Sequence, residues 1–314
     1  MSMATIAEHQ VAPLTKAASA TDARPKSIYW PFVVPAVAVV GSVIVFPWAF
    51  TIWMSLQEWT VGGARRFTGL SNYMRLVSDE RFLTSVGHTL VYTFLAVILP
   101  LIFGTLAALI FNSRLPFRGI LRGVFVMPMM ATPVAIALVW TMMFHPQLGV
   151  LNYLLSLVGI GPQAWVFNPS TVIPSLVLVE TWQWTPLVML IVLGGLAAIP
   201  TEPYESAAID GATILQRFRY ITLPMIAPFL MVAVIIRTID ALKSFDIIYA
   251  ITQGGPGTAS ETINLYLYSV AFAYYDVGYG SAIAVVFFAI VIVLSLLMLH
   301  LRQRTKWTDL QGGA

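Results

Sequence analysis

The stretch Leu90–Phe111 reads LVYTFLAVILPLIFGTLAALIF and holds no charged residue. As an α-helix that rises 1.5 Å per residue it would be about 33 Å long, enough to cross the roughly 30 Å hydrocarbon core of a bilayer. A helix on the surface of a soluble protein keeps one polar face towards water. An apolar run of this length without such a face therefore predicts a membrane span.

Five further apolar stretches have a similar length. Of the whole chain, 58% of residues are hydrophobic and 10% are charged, whereas a soluble domain carries about a quarter charged residues. The sequence therefore predicts an all-α integral membrane protein with six transmembrane helices, which lies in the membrane as a multi-pass protein. Besides Leu90–Phe111, the predicted spans are Tyr29–Leu56, Leu121–Phe144, Ser170–Ala198, Pro224–Ile251 and Val277–Leu301.

Lysine and arginine positions predict the orientation of the chain. Basic residues concentrate in the two terminal segments and in alternate loops, and the side with the larger Lys/Arg excess is cytoplasmic in membrane proteins. Both termini and the loop between spans four and five are thus predicted to face the cytoplasm. Residues 1–28 are polar and show no signal-peptide pattern. We expect a disordered cytoplasmic tail at 1–28, a membrane domain at 29–304 and a cytoplasmic tail at 305–314.

Several chemistries have no basis in this sequence. There is no cysteine, and the four histidines are scattered without ligand spacing, so neither a disulfide framework nor a metal site is predicted. No GxxxxGK[ST] phosphate loop occurs, which excludes a nucleotide site of that type. The net charge of +3 fits basic cytoplasmic loops better than a nucleic-acid partner. No catalytic residues and no cofactor are predicted for this chain.

The predicted cytoplasmic loop from Pro200 to Pro224 reads PTEPYESAAIDGATILQRFRYITLP. Thr201 is a plausible N-cap of a short helix, and Pro203 suits its first turn. Gly211 can end that helix in a left-handed conformation, after which a second short helix leads to the membrane. Local rules therefore predict a helix-turn-helix between spans four and five.

The run from Glu205 to Ala212, followed by Leu223-Pro224, closely resembles the EAA motif of binding-protein-dependent ABC import permeases. Ser206 stands where that motif has Ala. The resemblance implies that the helix docks into a cleft on a separate ATPase and transmits its closure. The residues that match the motif, and that it implies for this coupling, are Glu205, Ala207, Ala208, Asp210, Gly211 and Ala212.

Looser motifs elsewhere are similar to carbohydrate-uptake permeases of the maltose, lactose and glycerol-3-phosphate type, on the side of the first of two paired permeases. They lie at Phe67–Tyr73, Gly149–Asn152, Trp182–Pro186 and Thr252–Gly257. The resemblance implies a type I importer permease in a bacterial cytoplasmic membrane and a sugar-like solute moved by alternating access. It also implies a second permease, two copies of an ATPase subunit that bind ATP and Mg²⁺, and an extracytoplasmic solute-binding protein.

Polar residues inside the predicted spans mark a candidate solute path. A charge at a helix centre costs about 2.5–3.5 kcal/mol on insertion scales, so such residues are usually paired or functional. Sugars bind planar polar groups flanked by aromatic faces, and we expect Thr185-Pro186 to loosen span four beside them. The candidate path residues are Glu180, Trp182, Gln183, Trp184, Arg237, Asp240 and Ser244. Alternatively, Arg237 forms a structural ion pair with Asp240, or pairs with Glu180 when the path is empty.

The main alternative function is an ion-coupled secondary transporter, with Glu180 and Asp240 as proton or sodium sites. It would leave the Pro200–Pro224 segment unexplained. A membrane enzyme has no nucleophile–base pair to support it, and a scaffold would not need charges inside the membrane. Neutral sugars, disaccharides, polyols and anionic sugar derivatives all remain open as solutes, and Arg237 with Lys243 is the reason to retain the anionic class.

Overall fold

The computed structural model describes residues 30–113 and 115–303, without the side chains of 301–303. The predicted tails at 1–28 and 305–314 lie outside these residues. The chain divides into two compact units between Ala49 and Phe50. In the first unit the described residues, 30–49, form the apolar first part of one helix.

The described residues fold into thirteen α-helices and one small antiparallel ribbon. The helices are α1 (Trp30–Ser55), α2 (Ser71–Ser78), α3 (Glu80–Asn112), α4 (Arg118–Met130), α5 (Pro133–Met143), α6 (Val150–Leu157), α7 (Val172–Ala197), α8 (Glu202–Ile209), α9 (Ile214–Arg217), α10 (Leu223–Leu242), α11 (Asp246–Thr252), α12 (Ile263–Tyr268) and α13 (Val277–Gln303). The ribbon pairs β1 (Gln57–Glu58) with β2 (Arg66–Phe67). The prediction of a helical membrane protein is confirmed. The ribbon is a minor addition to it.

Five helical stretches among the described residues are long and apolar enough to cross a membrane, and a sixth span results if α4 and α5 count together. The predicted continuous span Leu121–Phe144 is wrong, because these two helices are bent by 96°. The break lies at Ala131 and Thr132, which are extended. Thr132 precedes Pro133, and the proline ring disfavours the helical conformation of the residue before it.

The fifth span also differs from the prediction. α10 ends at Leu242, and the residues between Leu242 and Asp246 leave the helix before α11 begins. The predicted helix to Ile251 is therefore interrupted near its end. Ser244 lies in the interruption and not on the continuous helix that the predicted span would have shared with Arg237 and Asp240.

The second unit is organised around α7, whose main packing partner is α3. The two helices approach closely at Gly104, where an added Cβ atom would lie 2.6 Å from the Val188 Cβ and 3.0 Å from the Met189 backbone nitrogen. Real Cβ atoms do not approach other atoms so closely. Glycine is thus needed for the α3–α7 contact, which positions the most deeply buried span.

Replacing Gly104 with valine is expected to destabilise the protein by about 1–3 kcal/mol, the usual range for overpacking a tight contact. The measurement is the thermal stability of the purified membrane complex. Gly87→Val is the matched control, because Gly87 lies on the same helix and an added Cβ there meets nothing within 4 Å. Equal stability of the two variants would contradict the close approach of α3 and α7.

A hydrogen-bonded cluster joins the start of α3 to α12 and α13. The hydroxyls of Tyr266 and Tyr279 each donate to Asp79 Oδ2 at 2.5 Å, and the amides of Arg81 and Phe82 donate to Oδ1. Partial burial raises the pKa of the Asp79 carboxyl, but these hydrogen bonds outweigh it and lower the pKa overall. Asp79 is therefore held ionised at the end of the bundle where α3 begins.

Candidate functional site

A polar cavity of about 240 Å³ lies between α7 and the interruption that separates α10 from α11. α7 contributes one face of the cavity, and the chain from the end of α10 into α11 contributes most of the other. The lining residues are Pro133, Glu180, Trp184, Asp240, Lys243, Ser244, Phe245, Asp246 and Ile247. Carboxylates, an ammonium group, a hydroxyl and an indole thus surround one space inside a largely apolar bundle.

Behind the cavity lies a buried ion pair. Arg237 Nη2 donates to Glu180 Oε1 at 2.7 Å, and the two side chains are only 1% and 3% exposed. The guanidinium also lies over the Trp184 ring, 4.9 Å from its centroid, and Nη2 approaches the Ala96 carbonyl oxygen at 3.4 Å. This pair links α7 to α10 and fixes the carboxylate that lines the cavity.

The pair leaves hydrogen-bonding capacity unused. Among the described residues, Arg237 Nε and Nη1 are buried and have no hydrogen-bond partner. Buried polar atoms without partners are uncommon in native structures. Two of the three guanidinium nitrogens therefore donate no hydrogen bond in this structure.

Four of the seven predicted path residues line the cavity: Glu180, Trp184, Asp240 and Ser244. Arg237 does not line it but lies directly behind Glu180. The predicted Arg237–Asp240 ion pair is wrong. Arg237 is fully buried and pairs with Glu180 of α7. The Asp240 side chain is 39% exposed, and its Oδ1 lies 3.9 Å from Lys243 Nζ.

The structure does not bring Trp182 and Gln183 to the cavity. The Trp182 ring is half exposed and packs edge-on against Trp140 of α5, with centroids 5.7 Å apart. Gln183 is buried, and its Nε2 lies 3.5 Å from the Ala131 carbonyl oxygen at the bend between α4 and α5. Pro186 does not break α7, which runs without interruption to Ala197.

Sequence reasoning missed several cavity residues. The predicted path does not include Lys243, Phe245 or Asp246, although all three line the cavity. The Phe245 ring stacks on Tyr249 at 5.2 Å and an interplanar angle of 13°. The Tyr92 hydroxyl of α3 lies 3.1 Å from Ser244 Oγ. The available signal was the density of charged and polar residues at 237–246 within an otherwise apolar stretch.

The segment that resembles the EAA motif follows the C-terminal end of α7. Thr201 lies at the N-cap position of α8, as predicted, but its side chain makes no capping hydrogen bond. Gly211 has φ of +74°, as the left-handed cap requires. Thr213 then forms a capping box with Gln216, which the sequence reasoning overlooked.

One hydrogen bond connects this segment to the span that carries the cavity residues. The Tyr204 hydroxyl of α8 lies 2.9 Å from Thr222 Oγ1, one residue before α10 begins. Glu205 and Asp210 are exposed on the same segment. This contact links α8 directly to the residue that precedes α10.

Comparison with known proteins supports the family that the EAA-like segment resembles. Residues 100–307 match the family model "Binding-protein-dependent transport system inner membrane component". A trehalose/maltose transport system permease protein of Thermococcus litoralis is 40% identical over 86% of this chain and 91% of its own length. A sulfoquinovosyl glycerol transport system permease protein of Agrobacterium fabrum is 35% identical over 87% of this chain and 89% of its own length.

Solved structures show the same fold. A crystal structure of a bacterial alginate ABC transporter, in complex with a periplasmic protein that carries an alginate pentasaccharide, contains a chain that matches with a TM-score of 0.76 at 21% identity. The match covers 88% of this chain and 94% of that one. The family model covers well over half of the sequence, and the apolar helices fit a protein that crosses the membrane several times. The chain therefore belongs to the family of inner-membrane components of binding-protein-dependent transport systems, the permease subunits of ABC transporters.

Proposed function

We propose that this chain is the permease subunit of an ATP-driven importer that moves a sugar or a sugar-derived solute into the cytoplasm. The curated relatives support the solute class, because their names include trehalose, maltose, sulfoquinovosyl glycerol and arabinooligosaccharides. The observation that carries the proposal is the polar cavity beside the Glu180–Arg237 pair. Its carboxylates and hydroxyl can bond to sugar hydroxyls, and the indole of Trp184 offers a flat apolar face.

The cavity provides only part of a solute pathway. At about 240 Å³ it is smaller than the roughly 300–1,000 Å³ typical of ligand sites. We infer that a second, paired permease completes the enclosure from the other side. An extracytoplasmic solute-binding protein would deliver the solute. Two copies of an ATPase subunit would bind ATP and Mg²⁺ in place of this chain, whose sequence has no phosphate loop.

The proposed coupling runs from α8 to the cavity. Closure of the ATPase would move α8 through Glu205 and its neighbours, and the Tyr204–Thr222 contact would pass that movement to the start of α10. α10 carries Arg237 and Asp240. A shift of α10 against α7 would therefore change the shape of the cavity, which is what alternating access requires.

The alternative of an ion-coupled transporter receives less support from this geometry. A proton or sodium site needs a carboxylate that can change its charge or accept an ion. Glu180 is instead engaged in a buried ion pair with the Arg237 guanidinium at 2.7 Å, so it is not free to hold another ion. Nucleotide-independent uptake by the reconstituted chain would favour the alternative.

Asp240→Asn is expected to reduce uptake about tenfold at limiting solute, because a hydrogen bond to a charged group contributes about 1.5–3 kcal/mol. The measurement is uptake by the complete transporter in proteoliposomes, with radiolabelled maltose, trehalose and an arabinooligosaccharide as probes. Trp182→Phe is the control, because Trp182 lies away from the cavity. Unchanged uptake of every transported probe by Asp240→Asn, at equal abundance, would remove Asp240 from the pathway.

A further inference from the structure

The connection between α5 and α7 contains a helix whose polarity is reversed relative to a helix on a water-exposed surface. In α6 the one buried residue is the polar Asn152, whereas the exposed residues are apolar apart from Ser156. A helix that faces water normally buries its apolar side and exposes its polar side. This reversal indicates that the exposed face of α6 does not meet water.

Asn152 fixes the connection into a defined shape. Its Nδ2 donates to the carbonyl oxygens of Pro146 and Gln163, at 2.8 and 3.0 Å. Its Oδ1 accepts from the Gln163 amide at 3.0 Å and from Trp165 Nε1 at 2.8 Å. The Trp165 ring in turn packs against Phe144 at the end of α5, with centroids 5.6 Å apart. One amide side chain thus ties together the turns that precede and follow α6.

The outward surface of this segment carries no charge and is mostly apolar; its exposed polar side chains are Gln147, Ser156, Gln163, Asn168 and Ser170. Residues 146–179 include no Asp, Glu, Lys or Arg. The exposed large apolar side chains in the connection are Leu148, Val150, Tyr153, Leu154, Leu157, Val158, Ile160 and Phe167. A patch of this kind, held rigidly in place, marks a surface that another phase or molecule covers.

We propose that α6 and its flanking turns lie in the interfacial layer of the bilayer, so that lipid covers their exposed face. Two observations favour lipid over a protein partner. The segment joins α5, the second helix of the bent apolar pair, to the candidate span α7, so apolar helices flank it on both sides. The helix that precedes it, α5, also exposes apolar side chains, such as Leu138 and Met142.

The residue types fit this location. Tyrosine and tryptophan are enriched at membrane–water interfaces, and Tyr153 and Trp165 lie within the segment. A site for a soluble partner protein commonly has a charged rim that steers the encounter. The absence of any charge at 146–179 leaves nothing for such steering. The interfacial segment would therefore anchor the end of α7, the helix that carries Glu180 and Trp184, relative to the bilayer.

The experiment measures spin-label accessibility in the complete transporter reconstituted in phosphatidylcholine vesicles. Because the chain has no cysteine, Leu154→Cys and Leu157→Cys each introduce a single labelling site. Leu138→Cys on α5 provides the lipid-facing reference, and Thr213→Cys in the α8–α9 turn provides the aqueous reference. We expect the ratio of oxygen to nickel-complex accessibility at both positions to be shifted from the Thr213 value towards the Leu138 value.

Two results would overturn the proposal, which is independent of the solute. Accessibility to the nickel complex equal to that at Thr213 would place α6 in water. Low accessibility to both oxygen and the nickel complex would show that protein covers the face. If the values fall only when the solute-binding protein is added, that protein covers it; otherwise the paired permease does.

Discussion

Replacing Arg237 with methionine is expected to remove most of the assembled transporter from the membrane. The substitution keeps a long apolar side chain but leaves the Glu180 carboxylate, 3% exposed, without its partner at 2.7 Å. Breaking a buried ion pair from one side typically destabilises a protein by about 3–5 kcal/mol, because an uncompensated charge stays buried. The measurement is the amount and thermal stability of the detergent-solubilised complex.

Lys243→Met is the matched control for this prediction. It removes a cation from the same segment, but Lys243 is more than half exposed and lies 3.9 Å from Asp240. Exposed pairs contribute about 0–1 kcal/mol, so this variant should assemble almost normally. The double variant Glu180→Gln with Arg237→Met should recover part of the lost complex, since it leaves no buried charge. Equal stability of Arg237→Met and Lys243→Met would contradict a structural role for the Glu180–Arg237 pair.

The second large effect is expected at α8, where Glu205→Arg should abolish solute uptake while the complex still inserts and assembles. Glu205 is exposed, so the reversal of its charge has little to disturb within this chain. The effect should instead arise at the proposed ATPase contact. The measurement pairs solute uptake with solute-stimulated ATP hydrolysis in proteoliposomes, and both should fall together.

Glu202→Arg is the control, because Glu202 is an exposed acidic residue in the first turn of the same helix. It does not belong to the EAA-like run, so we expect a smaller loss. Normal uptake by Glu205→Arg at normal abundance would show that α8 does not couple to the ATPase through this residue. A loss of the assembled complex in both variants would show that α8 is needed for assembly.

The sequence alone determined the class of the protein and most of its spans. A run such as Leu90–Phe111 has no polar face, and that composition is stable only in lipid, whatever the surrounding fold. The turn at Gly211 was also predictable, because a left-handed residue after a short helix is a local property of glycine. The match to the EAA motif depends on the order of residues alone and needs no knowledge of packing. The cytoplasmic location of both termini stays a prediction from the Lys/Arg distribution.

Only the tertiary structure decided which polar residues of the spans meet. The sequence left two partners open for Arg237: Asp240, three residues away on the same helix, and Glu180 on another span. The fold selects Glu180 of α7, which lies within 2.7 Å of Arg237 although it is 57 positions away. Gln183 is separated from the cavity for the same reason, since it faces the bend at Ala131. Contacts between helices depend on how α3, α7 and α10 rotate and approach, and that geometry arises from packing across the whole bundle.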